Sequence, residues 1–333
     1  MSRIGLVLGG GGLTGAAFHF GTLFALRMAT GWEPDDSDVV VGTSSGAVVA
    51  ALTRTGALSL ETLVGEVPDE EELETALRQQ IFRRTRPRGV GRWMRHGLLP
   101  GLRRPGIRFT LGSPAPYSTD GIADWVRRAG GDAARTWPDR PTIIVAYELE
   151  AHRRVAFGTV DSPDVDLATA VAASAAVPLV FEPVEVEGRR YVDGGVGSGT
   201  SADLLLGHRE PLDLVIVIAP MAATETRADG RFYEGIVDRL GEAALESEID
   251  ALKGAWPEVD VLVLRPDSTV LDAARPNPLD PGAALPAFLA TLRSMGATLS
   301  GPEVWPILER HIPSAAAHSP WDGRVAAPRI GKR

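Results

Sequence analysis

The sequence predicts an α/β fold with a mostly parallel central sheet, and repeated strand–turn–helix segments are the main reason. Residues 4–8 and 39–41 are short aliphatic runs, and each leads through a glycine-containing turn into an alanine-containing segment typical of a helix. Two further aliphatic runs, 213–219 and 259–264, have a helix predicted at about 231–254 between them. Strands that alternate with helices favour parallel pairing, with helices packed on the sheet.

The remaining elements are predicted in chain order from composition and periodicity. The pattern indicates helices at 61–82 and from Ser118 to about Gly130, strands at 141–147 and 154–157, a helix from about Asp166 to the Ala173-Ser174 pair, a hairpin of 184–186 and 190–192, and helices near 282–299 and 302–311. We expect one domain over 1–312, with a basic insertion at 83–117, and a disordered tail at 313–333.

Composition restricts the possible functions. The chain has 333 residues and 44% hydrophobic content, which is enough for a sizeable core. It contains no cysteine, which excludes disulfides, thiolate catalysis and thiolate metal sites. A net charge of −9 argues against nucleic acid as a partner. The first apolar run is too short for a signal peptide, and no apolar run is long enough for a transmembrane helix, so we expect a cytoplasmic protein.

A basic stretch interrupts this acidic chain. Residues Arg83 to Arg108 include nine arginines and no acidic residue, and Trp93 and Leu98 lie among them. One interpretation is a solvated connector between elements. The other is a lid-like arm that makes peripheral contact with anionic lipid headgroups, with the apolar side chains entering the membrane interface.

The most informative motif is G-x-S-x-G at Gly42, Ser44 and Gly46. It lies between the strand at 39–41 and the alanine-rich helix that follows. A serine on a sharp strand-to-helix turn is exposed in a strained conformation above a helix N-terminus, and small neighbours let the backbone pass close by. This geometry suits a nucleophile, although composition alone would produce such a motif about 0.2 times in a chain with this much glycine.

A second glycine loop, residues 9–15, follows the first strand and precedes a helix. Such a loop presents unpaired backbone N–H groups at the positive end of a helix dipole, so we expect it to bind an anion. A dinucleotide is one candidate, but the acidic residues Glu33, Asp35 and Asp36 come before the next strand, whereas the fingerprint requires one at that strand's end. A phosphate-binding loop is excluded because Ala16 stands where the lysine belongs.

An oxyanion is the alternative ligand for this loop. If the first two strands are parallel neighbours, the loop and Ser44 emerge at the same carboxyl edge of the sheet. The amides of Gly11 and Gly12, with Gly10 or Ser45 as further candidates, would then face a carbonyl attacked by Ser44.

A serine nucleophile needs a base, and no histidine lies in a distinctive motif. His19 falls inside an apolar helix, where packing is the expected role. Asp193 is a better candidate because it ends a strand and is followed by Gly194 and Gly195, which leave room for a partner to approach its carboxylate.

Four blocks stand in order along the chain: Gly10 to Gly15, Gly42 to Gly46, Ala173 to Pro183, and Asp193 to Gly195. Together they resemble the patatin-like phospholipases over roughly residues 4–265. The resemblance implies a three-layer α/β/α fold and a Ser-Asp dyad of Ser44 and Asp193. It also implies an oxyanion hole in the first glycine loop (Gly10, Gly11, Gly12), and structural support from Gly15, Gly42, Gly46, Gly194 and Gly195. A lipid or other acyl ester would be the substrate, with neither metal nor cofactor.

Two positions depart from the family pattern. Thr14 stands where the family usually has Arg or Lys, and residues 197–201 replace the Asn and Pro that usually follow the aspartate motif.

The four motifs make a serine lipid acyl hydrolase the first hypothesis. The second is a catalytically weak lipid- or membrane-binding protein with the same fold, and a nucleotide-binding oxidoreductase ranks third.

Overall fold

A mixed eight-stranded sheet organises the part of the chain that the computed structural model describes, which is residues 2–59, 62, 70–85, 114–223, 232–274 and 277–315. Its strands are β1 (Ile4–Leu8), β2 (Val39–Thr43), β5 (Thr142–Glu148), β6 (Arg153–Phe157), β7 (Val184–Val186), β8 (Arg189–Asp193), β9 (Leu214–Ile218) and β10 (Asp260–Leu264). A separate antiparallel pair consists of β3 (Arg83–Arg84) and β4 (Tyr117–Ser118).

The strands β10, β9, β1, β2 and β5 lie side by side in that order and are all parallel. β6 and β8 both pair with β5 in the antiparallel direction, and β7 pairs with β8 as the predicted hairpin. Every residue of β1, β2 and β9 is buried, as expected for parallel strands that are covered on both faces.

The described helices are α1 (Gly12–Thr30), α2 (Ser45–Arg54), α3 (Glu70–Ile81), α4 (Asp120–Gly130), α5 (Leu167–Ser174), α6 (Phe232–Ala255), α7 (Ser268–Ala274), α8 (Ala284–Leu299) and α9 (Trp305–His311). They divide between two apolar clusters because alternate side chains of a strand point to opposite faces. Leu6 and Leu8 join one cluster with α1, α2, α5 and α8, whereas Val7 joins the other with α6. The result is the predicted three-layer arrangement.

Most predicted elements are confirmed within a few residues. The structure adds α7 and the short β3–β4 pair, which the sequence pattern did not indicate. The helix predicted over 61–82 is described at Glu70–Ile81 and at residue 62, and the rest of that range lies outside the described residues. The basic arm after Thr85 and the tail after residue 315 also lie outside them. No helix in the described ranges is both long and apolar enough to span a bilayer.

Candidate active site

Ser44 lies on the turn between β2 and α2, as predicted, and its backbone is strained. Its φ is 56°, a value that costs roughly 1–3 kcal/mol for a residue other than glycine. The turn can be this sharp because of Gly46: a Cβ at that position would lie 1.9 Å from the Leu8 carbonyl oxygen. The start of α2 therefore packs directly against the carboxyl end of β1.

Strand register brings Asp193 to the same place. Thr43, the last residue of β2, lies opposite Val145 of β5, and Asp193 of β8 lies opposite Ala146, the next residue of β5. β6 occupies the other edge of β5, so β2 and β8 share one edge. Because β2 is parallel to β5 and β8 is antiparallel, the two strands meet end to end, with Ser44 at the level of Asp193.

Ser44 and Asp193 are hydrogen-bonded. The Ser44 hydroxyl donates to Asp193 Oδ2 at 2.6 Å, and the Gly195 amide donates to Asp193 Oδ1 at 2.8 Å. Both side chains are buried, each residue being 6% exposed. Burial raises the pKa of Asp193 to about 6, although the hydrogen bonds from Ser44 and Gly195 act in the opposite direction. The carboxylate is therefore charged at neutral pH and is more basic than an ordinary aspartate.

The segment after α5 holds both residues in place. The Ser44 amide donates to Ser174 Oγ at 2.9 Å, and the Ser174 hydroxyl donates to the Val145 carbonyl at 2.5 Å. The Asp193 amide donates to the Ala176 carbonyl at 2.9 Å. Ser174 belongs to the Ala173–Pro183 block that carries the family resemblance, but its role in holding Ser44 could not be predicted from a single hydroxyl at the end of an otherwise apolar, alanine-rich helix.

The glycine loop lies beside Ser44, but its amides are not equivalent. The Gly10 amide donates to the Gly199 carbonyl at 2.8 Å, so in this conformation it is not free to bind an oxyanion. A Cβ on Gly10 would lie 3.3 Å from Ser44 Cβ, which places the loop in contact with the serine. Within the described ranges, the amides of Gly11 and Gly12 donate to no other protein group, and they lie at the N-terminus of α1.

The other predicted glycines also lie at close contacts. A Cβ on Gly194 would be 2.2 Å from the Val145 carbonyl oxygen, so only glycine lets β8 end against β5. Gly15 approaches the Ser45 hydroxyl, Gly42 approaches the start of α2, and Gly195 approaches the Asp193 carboxylate. These contacts explain why the motifs are rich in glycine.

A buried carboxylate organises residues 197–201, where the sequence departs from the family pattern. Glu248 of α6 accepts hydrogen bonds from the Ser198 hydroxyl, from the Thr200 hydroxyl at 2.6 Å and from the Ala202 amide at 2.8 Å. This segment also supplies Gly199, whose carbonyl holds the glycine loop. Glu248 cannot be recognised from the sequence, because a single glutamate in a long polar helix resembles a solvated residue.

Two predictions concern basic groups near the site. His19 is fully buried and its Nε2 lies 2.7 Å from the Gly9 carbonyl, which agrees with the packing role expected for it. Burial lowers the pKa of His19 to about 4, so the ring is neutral. Thr14 is buried at the start of α1, and its amide donates to the Pro278 carbonyl. The proposed arginine arm beyond Thr85 lies outside the described residues.

Two cavities meet at Ser44. The wider one, about 610 Å³, is lined by the glycine loop, Ser44, Asp193 and residues 195–199. The narrower one, about 70 Å³, is almost entirely apolar, and its lining includes Leu77, Ile81, Phe82, Ile122, Trp125 and Phe181. Ser44 is thus placed between a wide cavity, whose lining is mostly apolar, and a narrow hydrocarbon-like slot. No group of three or more potential metal-binding side chains is present among the described residues.

Comparison with known proteins identifies the family of this chain. No curated protein sequence matches the chain. The crystal structure of VipD from Legionella pneumophila is similar over 95% of this chain and 74% of that chain, with 16% sequence identity and a TM-score of 0.39. The family model described as patatin-like phospholipase matches residues 6–206, which is more than half of the chain. The chain therefore belongs to the patatin-like phospholipase family.

Proposed function

We propose that this chain is a serine lipid acyl hydrolase of the carboxylic ester hydrolase class, with Ser44 and Asp193 as its catalytic dyad. The observation that carries the proposal is the 2.6 Å hydrogen bond between Ser44 Oγ and Asp193 Oδ2 at the junction of a wide and a narrow cavity, both with mainly apolar linings. Family membership supports lipid acyl hydrolysis as the general class of reaction.

In the acylation step, Ser44 Oγ attacks the ester carbonyl carbon while Asp193 accepts the hydroxyl proton. The carbonyl oxygen becomes an oxyanion and accepts hydrogen bonds from the amides of Gly11 and Gly12, a role supported by their lack of another acceptor within the described ranges. Each such donor contributes on the order of 3 kcal/mol to stabilising the transition state. The C–O bond to the alcohol then breaks, Asp193 returns its proton to the leaving alkoxide, and the acyl group stays on Ser44.

In the deacylation step, water takes the place of the alcohol. Asp193 accepts a proton from water, and the resulting hydroxide equivalent attacks the acyl carbon through a second oxyanion. Collapse of this intermediate releases the carboxylic acid, and the proton on Asp193 returns to Ser44 Oγ. The cycle uses two groups of the chain and water, and it consumes no other reactant.

The cavities support an acyl ester as the substrate. The narrow cavity suits only a short hydrocarbon segment of the acyl group, and burial there contributes about 0.8 kcal/mol per methylene. The wider cavity leaves room for the alcohol portion and for water.

A cytoplasmic location and peripheral membrane contact through Arg83–Arg108 remain predictions, as does the absence of a nucleic-acid partner.

Covalent labelling tests the proposal directly. We expect a fluorophosphonate probe to add to Ser44, as located by mass spectrometry of the intact chain and its peptides. Ser44→Ala should remove both the label and the hydrolysis of a short-chain nitrophenyl ester, whereas Ser45→Ala, the neighbouring hydroxyl, should still be labelled. If wild type remains unlabelled and does not cleave the ester but still binds lipid vesicles, the lipid-binding hypothesis replaces this one.

A further inference from the structure

The turn that leads away from the site holds a leucine in a conformation that favours glycine. The Val180 amide donates to the Val177 carbonyl at 3.2 Å, which closes a four-residue turn around Pro178 and Leu179. Leu179 has a φ of 71°. Proline followed by a residue with positive φ is the pattern of a type II turn, whose second central position normally takes Gly or Asn. A leucine there strains the backbone without helping the turn to form.

Packing does not account for this leucine, because its side chain points largely into solvent. Leu179 is 53% exposed, whereas the residues next to the turn take part in the site. Val177 lines both cavities, Pro178 lines the wider one and Phe181 the narrower one. The exposed side chain thus projects from the rim where the two cavities open.

Val160, another exposed apolar residue of the described ranges, lies away from this rim. Its side chain is fully exposed, but it follows β6, and β6 ends beside the start of β5. Ser44 lies toward the opposite, carboxyl end of β5. On the side of Leu179, in contrast, there is an exposed basic residue, Arg84 of β3. Arg84 pairs with Tyr117 of β4, and the backbone of Tyr117 pairs in turn with that of Phe181, two residues after Leu179. An exposed apolar side chain with a positive charge about two strand spacings away is complementary to a lipid surface, where acyl chains lie beneath phosphate groups.

We propose that Leu179 is a lipid-surface contact, which inserts into aggregated substrate and places the mouth of the cavities against it. The proposal rests on the proposed function for its substrate, and it names aggregated lipid as the preferred physical form of that substrate. The strained turn persists because it holds the side chain outward, where glycine would present nothing to the lipid.

The test compares wild type with Leu179→Asn, Leu179→Gly and the control Val160→Asn. Binding to phosphatidylcholine vesicles is measured by co-sedimentation, and hydrolysis is measured on the same vesicles and on nitrophenyl butyrate below its aggregation limit. We expect both Leu179 variants to bind vesicles roughly five- to tenfold more weakly, the factor for withholding half a leucine side chain from hydrocarbon. The ratio of vesicle to soluble-ester rates should fall by a similar factor.

Stability gives an independent readout. Asparagine and glycine both tolerate positive φ, so the two Leu179 variants should melt at or above the wild-type temperature. Val160→Asn should keep wild-type vesicle affinity and the wild-type ratio of rates.

Four results would overturn the proposal. The first is an unchanged vesicle affinity in the Leu179 variants, and the second is an equal loss of their hydrolysis rate on vesicles and on the soluble ester. The third is an equal loss of vesicle affinity in Val160→Asn. The fourth is a melting temperature several degrees lower in both Leu179 variants, which would mean that the leucine is a packing residue. If wild type cleaves neither ester, the proposed function fails, but the binding comparison still decides the role of Leu179.

Discussion

Replacing Asp193 by asparagine should abolish activity and yet stabilise the fold above pH 6. Burial raises the pKa of Asp193 from 3.8 to about 6, so the native state binds this proton more tightly than the unfolded chain does. The contribution of this group to stability is therefore complete below about pH 4 and is lost as the pH rises through about 6. The shift corresponds to about 3 kcal/mol at pH 8.

Asparagine carries no charge, so Asp193→Asn avoids this penalty and retains oxygen and nitrogen atoms for hydrogen bonding. We expect the free energy of unfolding of the variant, relative to wild type, to rise by about 2 kcal/mol between pH 4.5 and pH 8. Urea denaturation at the two pH values measures this difference. Ester hydrolysis should fall at least about 100-fold, since the proton acceptor is lost.

Asp166→Asn is the matched control with the opposite sign. Asp166 caps α5 through the Thr169 amide and pairs with Arg127. Burial alone would raise its pKa, but the bonds from Thr169 and Arg127 outweigh burial and lower it. Its stabilisation is present at neutral pH and is lost in acid, so this variant should be less stable than wild type at pH 8, with a deficit that narrows toward low pH. An Asp193→Asn difference that stays flat with pH, or that is negative at pH 8, would refute the reasoning.

Three further predictions follow from the same site. The kcat/KM for a soluble ester should be half-maximal near pH 6 and about tenfold below its plateau at pH 5, because Asp193 must be deprotonated, and a flat profile would contradict this role. Ser174→Ala should lower the free energy of unfolding by about 1–3 kcal/mol and reduce kcat, because it leaves the Ser44 amide unpaired. An unchanged free energy of unfolding in urea denaturation, together with an unchanged kcat, would contradict this role of Ser174. Gly46→Ala should abolish labelling of Ser44 and lower the melting temperature, since its Cβ would lie 1.9 Å from the Leu8 oxygen.

The glycine prediction has a control elsewhere in the chain. Gly254 lies within α6, and a Cβ there would meet no atom within 4 Å. Gly254→Ala should therefore leave labelling intact and raise stability by up to about 1 kcal/mol, the difference in helix propensity. A similar loss in both variants would mean that the effect does not depend on the contact with Leu8.

The parallel strands and the strained serine could be predicted because their signals are local. A buried parallel strand is an aliphatic run, and a glycine–serine–glycine turn after such a strand has few other uses. The short helix α7 was missed because seven residues carry too little periodicity to be recognised.

The hydrogen bonds that support the site depend on contacts between distant residues, and the sequence contains no comparable signal for them. Gly10 was a reasonable candidate for an oxyanion donor from its position in the loop. Its amide is engaged because Gly199, far away in the sequence, brings a carbonyl to it. Glu248 is likewise defined by the hydroxyls that surround it after folding.

The end-to-end meeting of β2 and β8 on one edge of β5 makes the proposed catalysis sensitive to strand alignment. If β8 slid by two residues along β5, its inward and outward side chains would keep their faces, and the apolar layers would still be satisfied. The carboxylate, however, would move about 7 Å along the edge, well beyond the reach of the serine hydroxyl. A two-residue change in the register of β8 would thus abolish the proposed hydrolysis while leaving a folded protein, which is a short path from a hydrolase to a binding protein with the same fold.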